Sequence, residues 1–90
     1  ITAEAMADTA VALAPLDDID VENMLGSLRG GALLDGFRTF PVCDRRAIAD
    51  ALKAVGQLML EHPGIAELEI NPLRVNAQGA LALDALIVNN

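Results

Sequence analysis

Residues 66–88 read AELEINPLRVNAQGALALDALIV, and this stretch decides the fold. Two apolar runs flank the polar segment Asn76-Ala77-Gln78-Gly79, which has the composition of a β-hairpin turn. Side chains alternate along a strand, so Glu67, Glu69 and Asn71 share one face and Leu68 and Ile70 the other. With Asn76 to Gly79 as the loop, Val75 faces Ala80 and Asn71 falls directly opposite Asp84. Directly opposite residues of an antiparallel pair project to the same face. The hairpin then gathers Glu69, Asn71 and Asp84 among hydrophobic neighbours. Their oxygens suit a hard cation such as Mg²⁺, whose shell is usually completed by waters and substrate phosphates. A plainer reading competes. Asn-Pro often only ends a strand, because the residue before proline is pushed to extended geometry, and Asp84 is then a solvated edge residue. Register decides between them, since a one-residue slip moves every side chain to the other face.

Upstream, residues 44–62 carry the clearest amphipathic pattern of the chain. Ile48, Ala51, Leu52, Val55, Leu58 and Met59 recur at helical spacing, Asp44 is a plausible N-cap, and His62-Pro63-Gly64 stops the helix. Gly56 sits inside it, where close packing against a strand would explain a small residue. Residues 17–29 form a second expected helix. Asp17 or Asp18 caps it, an acidic first turn meets the positive dipole end, and Val21, Met24, Leu25 and Leu28 make the stripe, with Gly30-Gly31 as its end. Between the helices, residues 32–41 connect, with a short helical turn at Leu33-Leu34 and with Phe37 and Phe40 anchoring the loop. Residues 1–16 are rich in alanine, and their pattern allows helix or strand alike.

Composition sets further bounds. Ninety residues make one domain or less, and 53% hydrophobic content with a mean hydropathy of +0.40 is globular. With two aromatics the core must be aliphatic. A net charge of −7 argues against a nucleic-acid partner, since no basic stripe exists to neutralise phosphates; it does not exclude a nucleotide whose contact a metal mediates. Cys43 is alone, so the chain builds neither a disulfide framework nor a cysteine-rich zinc site, which fits a cytoplasmic setting. No apolar run is long enough to span a membrane. His62, in the last turn before a proline, is explained by the helix dipole, and Cys43 lacks a nearby base. Lys53 belongs on a helix surface, and Arg38 reads more readily as a surface ion pair than as a phosphate contact. The chain starts at Ile1 and reads as a fragment.

The ordered set of Ala14-Pro15-Leu16, Leu33-Leu34-Asp35-Gly36-Phe37-Arg38, the helix from Asp44, Glu69-Ile70-Asn71-Pro72-Leu73 and Leu83-Asp84-Ala85 resembles one family over nearly all of the chain. It is similar to the C-terminal part of the ATP-grasp domain in nucleoside-diphosphate-forming acyl-CoA synthetases, in particular the ADP-forming acetyl-CoA synthetase branch; succinyl-CoA synthetase β subunits carry a similar hairpin. The resemblance implies two short strands within residues 1–16, bent near Ala7-Asp8, with Glu4 facing a nucleotide cleft. It implies Mg²⁺ and ATP or ADP as cofactors, with Asn71 and Asp84 holding the metal and Glu69 orienting a phosphohistidine segment. CoA would bind through a domain outside residues 1–90, and the phosphohistidine would come from another domain of the same chain or a partner subunit. Relatives often have Phe-Arg where this chain has Val11-Ala12, a departure that touches the phosphate chemistry.

The expected fold is therefore α+β. An antiparallel sheet with a C-terminal β-hairpin is covered by two amphipathic helices, and residues 1–90 form a single partial domain, the C-terminal lobe of the ATP-grasp fold. The expected activity of the parent is acid–CoA ligation, with the isolated fragment inactive. An alternative of another class is a regulatory, synthetase-like domain fused to a protein lysine acetyltransferase. A face normally covered by other domains could also drive homodimerisation of the fragment.

Overall fold

The computed structural model describes residues 8–36, 38 and 41–90. The order of elements is helix α1 (Asp18–Ser27), a 3₁₀ helix (Gly31–Asp35), helix α2 (Arg45–Glu61), and strands β1 (Ile65–Ile70), β2 (Leu73–Asn76), β3 (Gly79–Ala82) and β4 (Ala85–Asn89). The architecture is α+β, as expected. Strands β1 and β4 pair antiparallel, and so do β2 and β3.

Local chemistry sets the boundaries. Asp17 caps α1 in a reciprocal box: its carboxylate accepts from the Asp20 N–H at 2.7 Å while the Asp20 carboxylate accepts from the Asp17 N–H at 3.0 Å. Asp44 caps α2, accepting from the Ala47 N–H at 3.0 Å. Helix α1 ends earlier than its glycines suggest. The Leu28 N–H reaches back to the Leu25 carbonyl, and Gly30-Gly31 opens the 3₁₀ turn instead of capping the helix. His62 is the C-cap of α2 and is exposed.

Val21, Leu25, Ile48 and Ala49 form the buried core, so α1 and α2 meet along one seam. Leu16, Leu28, Leu34, Leu52 and Val75 close around it. Helix α2 contacts β1 and β3, whereas α1 packs on α2. The long helix thus does most of the covering of the hairpin. Ionic contacts tie the helices together: Arg45 reaches Glu22 of α1 at 3.1 Å and Asp35 at 3.2 Å, and Lys53 pairs with Asp18. Lys53 therefore lies at the helix surface, but against α1 instead of in open solvent.

Two expectations change. Among the described residues, those before α1 form no strand; Val11 and Leu13 are 92% and 89% exposed. A strand needs a partner row of N–H and C=O groups, and residues 8–17 find none here. Gly56 packs against the Ala14 and Leu16 side chains, not against a strand; a Cβ there would lie 3.4 Å from that of Ala14. Glu4, Phe37 and Phe40 lie outside the described residues.

Candidate functional site

The hairpin turn is where the sequence put it. Val75 pairs with Ala80 and Asn76 with Gly79, leaving Ala77-Gln78 as a two-residue tip. The Asn76 carboxamide oxygen accepts from the Gln78 N–H at 2.9 Å, an Asx turn. Gly79 follows at φ 144°, a conformation that only glycine takes without strain. The Asp44 N–H donates to the Asn76 carbonyl at 2.8 Å, which docks the ribbon onto the start of α2.

From the tip to the base of the site the pairing count stays constant across two ladders. Leu73 faces Ala82, Ile70 faces Ala85 and Glu69 faces Leu86. Between the two ladders, the Leu83 N–H donates to the Pro72 carbonyl at 3.0 Å and the Asn71 N–H to the Asp84 carbonyl at 3.1 Å. Asn71 is therefore directly opposite Asp84. The regular ladder is interrupted at these four residues, and the inward face changes parity across them. Leu68 and Ile70 are half-buried before the break, Leu73 and Val75 after it, while Asn71 and Asp84 stay exposed.

Glu69, Asn71 and Asp84 line one open concavity of 330 Å³, together with Ala85 and Leu86. All three polar residues are exposed. Among the described residues neither Glu69 nor Asp84 has a basic partner; Asp84 accepts through one carboxylate oxygen from the Ala85 N–H at 2.9 Å. Uncompensated carboxylates beside a carboxamide make an oxygen-only donor set, without imidazole or thiolate, and such a set fits a hard cation. Among the described residues no group of three or more His, Cys, Asp or Glu could hold a metal by itself. The protein thus offers part of a shell, the kind that water and phosphate oxygens complete.

Cys43 is half-buried, 3.9 Å from the Pro41 and Val75 carbonyls, and away from this concavity. Arg38 is exposed, at φ 53°. Leu86 was not singled out from the sequence, and Ala85 only as part of the Leu83-Asp84-Ala85 string, although the register that sets Asn71 against Asp84 also sets Leu86 against Glu69.

Fold and site together are an α+β lobe whose hairpin carries an exposed, oxygen-only donor set. An ATP-grasp domain model matches residues 1–88, and the chain belongs to that family. It is similar to acetate–CoA ligase (ADP-forming) I subunit β of Pyrococcus furiosus, 32% identical over 88 residues, covering 98% of this chain and 38% of that protein. It is also 31% identical over 90 residues to a trans-feruloyl-CoA synthase from an unknown prokaryotic organism, 13% of whose length it covers. Among solved structures it superposes with TM-score 0.94 and 34% identity on a Ca. Korarchaeum cryptofilum dinucleotide-forming acetyl-coenzyme A synthetase 1, over 98% of this chain and 38% of that one. That structure holds coenzyme A and Ca-AMPCP. Another of the same protein holds coenzyme A and Mg-AMPPCP, its phosphohistidine segment pointing towards the nucleotide-binding site. The chain spans well under half the length of these relatives.

Proposed function

We propose that residues 1–90 form the C-terminal lobe of the ATP-grasp domain in a nucleoside-diphosphate-forming acyl-CoA synthetase. In this role they serve the nucleotide side of phosphoryl transfer. The observation that carries the reading is Asn71 opposite Asp84, with Glu69 beside them, on an exposed face of a hairpin whose relatives are ADP-forming ligases.

In the overall reaction, phosphate displaces CoA from an acyl-CoA to give an acyl phosphate. The phosphoryl group passes to a histidine, releasing the carboxylate, and from the histidine to ADP, giving ATP. The Asn71 carboxamide oxygen and the Asp84 carboxylate hold Mg²⁺, which when bound neutralises charge on the nucleotide phosphates. Glu69 orients the incoming phosphohistidine segment through its exposed carboxylate. The CoA-binding site and the histidine belong to other domains of the same chain or to a partner subunit, so residues 1–90 alone do not turn over.

The test is calorimetric titration of Mg-ATP into the complete polypeptide that carries these residues. Asn71→Ala and Asp84→Ala should each weaken metal-dependent binding by about tenfold or more, roughly 1.4 kcal/mol. Affinity indifferent to both substitutions makes the hairpin scaffold. Acetyl transfer to a protein lysine, without ATP-dependent acyl-CoA formation, would then favour the fused-regulator alternative, towards which Ala12 in place of the relatives' arginine points.

A further inference from the structure

The hairpin carries a second concavity, opposite in polarity to the carboxylate-bearing one. It measures 230 Å³ and is lined by Arg74, Asn76, Gln78, Gly79, Ala80 and Leu81. No acidic residue contributes to it. Asn76 spends its carboxamide oxygen on the Gln78 N–H, so its NH₂ group is left as a donor. Arg74 adds a guanidinium, which presents its N–H groups as a fork matched to phosphate or carboxylate.

Arg74 also stands apart among the basic side chains. Arg45, Arg46 and Lys53 pair with acids, and Arg29 and Arg38 have interactions of their own. Among the described residues Arg74 has neither hydrogen bond nor ion pair, in a chain with thirteen acidic residues to six basic ones. Its position follows from the ribbon. Leu73 and Val75 turn inward, so Arg74 projects to the side away from α2, the side on which Glu69 also lies. Arg74 lies three positions after Asn71, at most about 11 Å of extended chain, and pairs across the ribbon with Leu81, three positions before Asp84.

We infer that Arg74, with the Asn76 carboxamide, is an anion subsite that takes a phosphate group of the nucleotide whose metal Asn71 and Asp84 hold. The inference rests on the function proposed above and extends it. A metal-bound polyphosphate presents a cation and an outlying anionic oxygen together, and the hairpin offers oxygen ligands and N–H donors in that same succession.

The experiment titrates Mg-ATP and magnesium tripolyphosphate, which lacks base and sugar, into the complete polypeptide at two salt concentrations. Arg74→Gln should weaken both ligands about fivefold, the scale of an exposed charge pair, and flatten the salt dependence. Arg74→Lys should retain most of the affinity. Unchanged binding by Arg74→Gln, while Asn71→Ala and Asp84→Ala weaken it, overturns the subsite and leaves the metal reading standing. Indifference to all three substitutions overturns both. Loss with Mg-ATP but not with tripolyphosphate also overturns the phosphate assignment.

Discussion

Two glycines near in sequence, Gly26 in α1 and Gly31 in the 3₁₀ turn, give a sharp test of the packing between those elements. Gly31 is buried, and a Cβ built there falls 2.3 Å from the Leu25 carbonyl oxygen. Relief needs a shift of about 0.7 Å, the gap between 2.3 Å and the 3.0 Å floor of real Cβ contacts. The obstructing atom is backbone, and it also accepts the Leu28 N–H that closes the helix. Overpacking of this kind costs about 1–3 kcal/mol, and losing the closing hydrogen bond adds roughly 1 kcal/mol. Gly31→Ala should therefore cost about 2–4 kcal/mol, a large share of the roughly 5–13 kcal/mol expected for ninety residues. Gly26 is the control. It is exposed in the last turn of α1 and nothing lies within 4 Å of its Cβ position. Gly26→Ala should stabilise by about 0.5–1 kcal/mol, through helix propensity and a less disordered unfolded state. Urea unfolding followed by circular dichroism reads both, the midpoint falling for Gly31→Ala and rising for Gly26→Ala. A Gly31→Ala midpoint equal to the parent's, or both midpoints moving the same way, would refute the reasoning.

Two further expectations concern the core and the N-terminal segment. Leu25→Ala, at 6% exposure, should cost about 2–5 kcal/mol, whereas Ile19→Ser, at 71% exposure on the same helix, should stay within about 0.5 kcal/mol of the parent; equal costs would place the seam elsewhere. The Asp8 carboxylate accepts from the Gly30 N–H at 2.8 Å and the Arg29 N–H at 2.6 Å, and these bonds hold its pKa below the ordinary value. A depressed folded-state pKa gives stability that is present above the ordinary carboxylate value of about 3.9 and is lost as pH falls through the lowered one. Asp8→Asn should therefore flatten the stability profile at the acid end, and an NMR titration of the Asp8 carboxyl at or above the ordinary value would contradict the tether.

Much of the site could be read without coordinates because hairpin geometry is local. A polar turn segment at Asn76 to Gly79 and apolar strands on either side constrain which residues meet, and Asn71 against Asp84 follows from counting outward, although the structure tightens the tip to Ala77-Gln78. What counting could not supply is the change of inward face across Asn71-Pro72. Strict alternation would keep Leu73 and Val75 on the side of Asn71, yet they turn to the core and leave the polar residues outside. The partnerless state of Arg74 was equally hidden, since whether a charge finds a counter-ion depends on which surfaces meet.

The sequence by itself determined the two helices and their aspartate N-caps, the hairpin tip and the pairing of its strands. Each depends on residues a few positions apart, where helical period, capping chemistry and turn stereochemistry act directly. Only the tertiary structure decided that α1 stops short of Gly30-Gly31, that Gly56 receives Ala14 and Leu16, and that α2 carries the hairpin while α1 packs behind it. Those outcomes come from contacts between segments distant along the chain. Shape and volume must match across such contacts, and neither is encoded in the period of any one segment.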